Sequence, residues 1–291
     1  MGLRVGVIGG SGLYEMEGMT DVKEVSVETP YGDPSDSFVI GRVGDVELVF
    51  LSRHGRGHRF NPSEVPYRAN LFGMKKLGVS WVISVSAVGS LRAEIAPRDV
   101  VLVDQFIDRT KGRAATFFEN GIVGHVGFGD PVCETLRGFL LSSAQEAALE
   151  TGVKVHDRGT YVCMEGPAFS TRAESNLYRS WDASVIGMTN LPEAKLAREA
   201  GMSYATLAMA TDYDCWHEGH DDVTVETVIS HVVANVKLAK SAIAKATVRI
   251  ASFGQESPYK NAIDGAVMTS PDRIPGDRRA ALAPIIGDML G

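Results

Sequence analysis

Tyr204-Ala-Thr-Leu-Ala-Met-Ala-Thr-Asp-Tyr-Asp-Cys-Trp216 is an apolar run closed by turn-forming and acidic residues. From Tyr204 to Ala210 it reads as a short buried strand. Asp212 and Asp214 then stand two apart at the strand's mouth. If the backbone stays extended there, period-two geometry points both carboxylates to one face. Two carboxylates sharing a site cannot both ionise cheaply, so one tends to keep its proton. A carboxylic acid held neutral near pH 7 can donate a hydrogen bond, or a proton, to a leaving group. Taken alone, the pair equally suits a helix cap or a solvated turn.

Working outward, the same pattern repeats. Leu3 to Ile8, Val79 to Ser86, Asp99 to Asp104, Gly159 to Pro167 and Ala183 to Thr189 are further short apolar strands. Helical periods separate them over 62–77, 131–151, 173–180, 192–200 and 223–247. The first is capped near Asn61 or Ser63, and Gly152 stops the second. Residues 23–51 alternate apolar and polar, as antiparallel hairpins do. This succession predicts an α/β fold, a single domain with a mixed, mostly parallel central sheet flanked by helices. Residues 1–250 form that domain. Residues 251–291, rich in Pro, Gly, Ser and charge, read as a peripheral C-terminal tail, with a short helix over 278–286 and a place on a neighbouring subunit.

In such folds ligands sit at the carboxyl ends of the strands. The polar loops fall there: Ser11, Arg53-His54, Ser86-Ala87, Met188-Thr189 and Asp212-Asp214. Gly9-Gly-Ser-Gly-Leu-Tyr14 suits a phosphate cradle of backbone N–H groups, with Ser11 adding a hydroxyl. It fails the dinucleotide fingerprint, since Glu15 stands where the third glycine belongs. Ser52-Arg-His-Gly-Arg-Gly-His-Arg59 reads as a flexible cationic loop for an anionic substrate. His54 and His58 have the i,i+4 spacing of a metal pair, but the glycines argue against the helix that such a pair needs. Phe169 suits a stacking platform or the core. The long connection 111–131, containing His125, suits a functional segment or an interface.

A net charge of −7 argues against a nucleic-acid surface, and the apolar runs are too short to span a bilayer. Cys133, Cys163 and Cys215 are too widely spaced for a disulfide framework or a zinc site. With no signal-peptide pattern at the start, a reducing cytoplasm is expected.

Five segments carry a resemblance: Gly9 to Tyr14, Arg53 to His58, Asp104-Gln-Phe-Ile-Asp-Arg-Thr110, Glu165-Gly-Pro-Ala-Phe-Ser170 and Met209 to Trp216. In order, and over about residues 4–247, they resemble the 5′-methylthioadenosine phosphorylases of the purine nucleoside phosphorylase superfamily, trimeric type. The resemblance implies the nucleoside phosphorylase fold. It also implies phosphorolysis, in which phosphate attacks the anomeric carbon and adenine leaves, with no metal or organic cofactor and phosphate as a substrate. Ser11, Arg53, His54, Ser86, Ala87 and Thr189 would hold phosphate. Met188 would contact the ribose, and Phe169 the purine. Asp212 and Asp214 would bind N7 and the 6-amino group, Asp212 protonating N7. Ser170 and Val225 match specificity positions, Val225 near the 5′ group. His125 would reach a neighbouring subunit's 5′ pocket, which implies a homo-oligomer, trimer or hexamer.

Two rivals remain. A 6-oxopurine phosphorylase would act on inosine, guanosine or methylthioinosine, but two carboxylates are poor partners for a keto oxygen. A non-catalytic nucleotide-binding or dinucleotide-dependent protein rests only on the first glycine loop.

Overall fold

The computed structural model of the chain describes residues 2–217 and 225–287, without the side chains of Ser11, 225–230 and 232–234. It opens with β1 (Arg4–Gly9), β2 (Thr20–Val25), β3 (Phe38–Val43) and β4 (Val46–Ser52). Helix α1 (Tyr67–Lys76) leads to the long β5 (Trp81–Ser90), then β6 (Val100–Leu102) and β7 (Gln105–Asp108). Next come α2 (Glu134–Ala148), β8 (Val155–Asp157), β9 (Thr160–Cys163) and α3 (Arg172–Ser180). The described chain is completed by β10 (Val185–Gly187), α4 (Asn190–Glu199), β11 (Ser203–Asp212), α5 (Val225–Phe253), α6 (Gly276–Ala281) and α7 (Ala283–Ile286).

The strands join one mixed sheet, mostly parallel as expected. β1 pairs in parallel with β4 and β5, and β11 pairs in parallel with β5. Antiparallel pairing is found at β2–β3–β4, as the alternation of 23–51 predicts, and also at β5–β10 and β6–β11.

β11 shows why the opening stretch had to be so apolar. Tyr204, Ala208 and Ala210 face one core, while Ala205, Leu207 and Met209 face the other. Period-two geometry thus buries both faces. Leu71, Phe72 and Met74 of α1 and Leu196 of α4 cover the first face. On the second, Leu136 and Leu140 of α2 meet Leu238, Ile243 and Ile250 of α5. Each such side chain contributes about 1.5–3 kcal/mol when fully buried.

Two expectations need correction. Helix α1 begins at Tyr67, five residues late, because Asn61 Oδ1 accepts from the N–H groups of Ser63 and Glu64 and closes a turn instead. The segment after Ser252 is not peripheral, since Ile263, Ile274, Leu282, Ile285 and Ile286 are buried in the first core. It also grips the 121–126 segment, where Met268 N–H donates to Val123 O and His125 N–H to Ala266 O.

Candidate active site

The carboxyl ends of β1, β4, β5, β10 and β11 open into one cavity of about 920 Å³. Arg53, His54, Ser86, Ala87, Phe169, Met188, Thr189, Asp212 and Asp214 all line it. Gly10 and Gly12 reach it from either side of Ser11, whose side chain lies outside the described residues, as does that of Val225. Ser170 and His125 are not in the lining. Ser170 Oγ donates to Met164 Sδ at 3.5 Å, and its carbonyl accepts from Cys215 Sγ at 3.2 Å. His125 is exposed.

The two aspartates meet there by a different route from the extended backbone expected. β11 loses register with β5 between Ala210 and Asp212, and Asp214 starts a 3-10 turn at φ 51°. Trp216 Nε1 donates to Ser90 O at 2.8 Å and pins that turn to the end of β5. Gly89 makes the approach possible. A Cβ there would lie 3.0 Å from Asp212 Oδ1 and 3.3 Å from Asp214 Cβ.

Their surroundings differ. Asp212 Oδ1 accepts the Asp214 N–H and Oδ2 accepts the Thr211 hydroxyl, both at 2.7 Å. Burial pushes the Asp212 carboxyl up, and these two donors pull against it. Asp214 Oδ2 is buried without a hydrogen-bond partner. Burial also pushes Asp214 up, with the Asp212 charge adding and the Ser175 hydroxyl opposing. An orphaned buried acceptor costs about 1–3 kcal/mol, so this atom calls for an external N–H or its own proton.

Across the cavity, Arg53 is 3% exposed rather than flexible. Its guanidinium grips Glu193 through Nε at 2.8 Å and Nη2 at 3.0 Å, and donates to Val85 O and Ser84 Oγ. A lone buried guanidinium would be prohibitive, so the chain after β4 folds inward onto Glu193. Only the outer part of the loop, Arg56 to Arg59, is exposed. His54 Nδ1 lies 2.8 Å from Phe60 O, a pure acceptor, so Nδ1 carries hydrogen. Burial holds the His54 ring down at about 4, hence neutral at pH 7. Its ring stacks on His58 at 4.2 Å. Among the described residues no group of three His, Cys, Asp or Glu is placed to hold a metal ion.

Of the other side chains that build the site, Arg113 and Val236 stand in none of the quoted segments. Arg113 is 2% exposed and donates to Met188 O at 2.6 Å, Leu191 O at 2.9 Å and Glu165 O at 2.6 Å. Glu165 in turn accepts from Ser63 Oγ and the Lys111 N–H. Val236 of α5 adds an apolar wall to the cavity. Only the length of the 111–131 connection hints at Arg113.

Residues 4–251 match the phosphorylase superfamily. The chain is 59% identical to S-methyl-5′-thioadenosine phosphorylase of Geobacter sulfurreducens, over 98% of this chain and 99% of that one. It is 53% identical to the protein of the same name from Thermosynechococcus vestitus, over the full length of both. Its structure is similar to that of a methylthioadenosine phosphorylase sourced from an antarctic soil metagenomic library. There the TM-score is 0.93 at 46% identity, covering 98% of this chain and 99% of that one. It is also similar to methylthioadenosine phosphorylase from Schistosoma mansoni in complex with adenine. For that structure the TM-score is 0.84 at 35% identity, covering 91% and 99%.

Proposed function

Because the chain belongs to the phosphorylase superfamily, we infer that its cavity works on a purine nucleoside and phosphate. The reaction is phosphorolysis of 5′-methylthioadenosine to adenine and 5-methylthioribose 1-phosphate. The observation that carries the choice of base is the buried, unpartnered Asp214 Oδ2 beside the raised Asp212 carboxyl. A 6-amino group supplies the N–H that Oδ2 lacks, and Asp212 gives N7 a proton as the base leaves.

Phosphate is held at the other strand ends, by the Gly10–Gly12 backbone, Ser11, His54, Ser86, Ala87 and Thr189. Arg53 lends buried charge beneath it. Met188 supports the ribose, Phe169 covers the purine, and Ser170 backs the base side through Cys215. Positive charge developing on the ribose then lies between phosphate and the N7 acid. Donors already in place stabilise that state more than the ground state. Val236 gives the 5′-methylthio group an apolar wall, and Val225, whose side chain lies outside the described residues, is assigned to the same group. The reaction proceeds with no metal or organic cofactor, phosphate being a substrate. His125, outside its own cavity, is assigned to the 5′ pocket of a second copy in a homo-oligomer, a trimer or a hexamer. Three free thiols suit a reducing cytoplasm.

A phosphate-dependent assay comparing methylthioadenosine, adenosine, inosine and methylthioinosine tests this. Methylthioadenosine should give the highest kcat/KM. Faster release of hypoxanthine from inosine would reverse the assignment of the base.

A further inference from the structure

Ser86 on β5 is met from β9 by a residue that no motif singles out. Tyr161 of β9 is fully buried, with its ring edge-on to Phe106 at 5.6 Å. Its Oη lies 3.3 Å from Ser86 Oγ. β10 is shaped to admit this hydroxyl. Gly187 carries no side chain, and a Cβ there would stand 2.0 Å from Tyr161 Oη. Any residue but glycine at 187 would therefore evict the hydroxyl.

Hydrogen counting gives the arrangement a direction. A phenol has one hydrogen, and its oxygen accepts on the remaining side. The Ser86 hydrogen has Ala87 O as its acceptor, so the tyrosine hydrogen is left to donate to Ser86 Oγ. Burial raises the phenol pKa further, and the hydrogen stays in place across the working pH range. Ser86 then receives one hydrogen bond and keeps its own hydrogen to give. Among the described residues its acceptor, Ala87 O, is a weak one at 3.4 Å.

We propose that Tyr161 is a positioning residue for phosphate, its hydroxyl turning Ser86 into a donor toward the anion. This rests on the reading of Ser86 as a phosphate ligand. Tyr161 does not touch phosphate itself.

The test measures KM for phosphate and for methylthioadenosine in Tyr161→Phe, Ser86→Ala and the double variant. Tyr161→Phe keeps the ring and is expected to raise phosphate KM about five- to tenfold, the worth of one hydrogen bond, with nucleoside KM within about twofold. In the Ser86→Ala background the same change should alter phosphate KM by less than about twofold, because its effect passes through Ser86. Gly187→Ala displaces the hydroxyl without deleting it and should give the same split between the two KM values. An inert Tyr161→Phe beside an impaired Ser86→Ala overturns the positioning role alone. Equal rises in both KM values, or undiminished loss in the Ser86→Ala background, also overturn it. A Ser86→Ala enzyme with wild-type phosphate KM overturns the phosphate reading beneath it.

Discussion

At the scale of single residues, Asp212 and Asp214 are set apart by their neighbours, although their side chains are identical. Asp212 has both oxygens occupied by donors from its own chain, so its position is fixed before any ligand arrives. Asp214 leaves Oδ2 open, which suits it to accept an N–H. Asp212→Asn keeps size and place but removes the transferable proton. Turnover of methylthioadenosine should fall about 10²–10⁴-fold, the usual worth of general-acid help, while phosphate KM stays within twofold. Methylthioinosine should lose less, because an amide N–H can serve a 6-oxo purine where a carboxylate cannot. Steady-state kinetics on both nucleosides check this, and unchanged methylthioadenosine turnover would remove Asp212 from the leaving-group step.

At the scale of elements, the site is a set of loops held by distant side chains. Arg113 ties the turn after β9 to the start of α4 through three carbonyls, besides its ion pair with Glu165. Arg113→Met should cost about 3 kcal/mol of unfolding free energy, because it leaves buried acceptors and a carboxylate without their partner. Nucleoside KM should rise with it, since the Met188 carbonyl is released, and urea unfolding with kinetics reads both. Glu199, at the far end of α4, accepts from Thr116 Oγ1 and the Phe117 N–H, both at 2.7 Å. Burial pushes its carboxyl up to about 6, so the folded chain holds this proton more tightly than the unfolded chain. Stability from this group is therefore gained as pH falls from about 6 toward the ordinary carboxylate value, and lost as pH rises through that window. Relative to Glu199→Gln, the wild type should gain roughly 2 kcal/mol between about pH 7.5 and pH 4.5. A pH-independent difference in denaturant midpoints would refute it. Neither clamp was legible, because Arg113 and Glu199 meet partners scores of residues away and loops have no period to read. The strand ends were legible, since alternation and glycine punctuation are local. For the same reason the inward fold of Arg53 was missed, its partner Glu193 being 140 positions distant.

At the scale of the whole molecule, the repeating strand–helix order was enough to foresee one mixed, mostly parallel sheet with its ligand cavity at the strand ends. What it could not foresee was where the last forty residues go. Their Pro, Gly and charge content resembles that of a tail. Their few apolar side chains, however, are spaced so that Ile274, Leu282, Ile285 and Ile286 all reach one core. Composition averages over a segment, whereas burial depends on which few positions are apolar, so the average misleads here. Leu282, at the junction of α6 and α7, is fully buried. Leu282→Ala in the full-length chain should cost about 2–5 kcal/mol, the transfer energy plus the cavity it leaves. The candidate cavity lies at the strand ends and is not lined by this segment, so KM for both substrates should hold at temperatures below the new midpoint. Because the same segment pairs with residues 121–126, looser packing should also speed hydrogen exchange at the Val123 and His125 amides. Unfolding that is insensitive to Leu282→Ala, with unchanged exchange at those amides, would show that the core closes without its C-terminal segment.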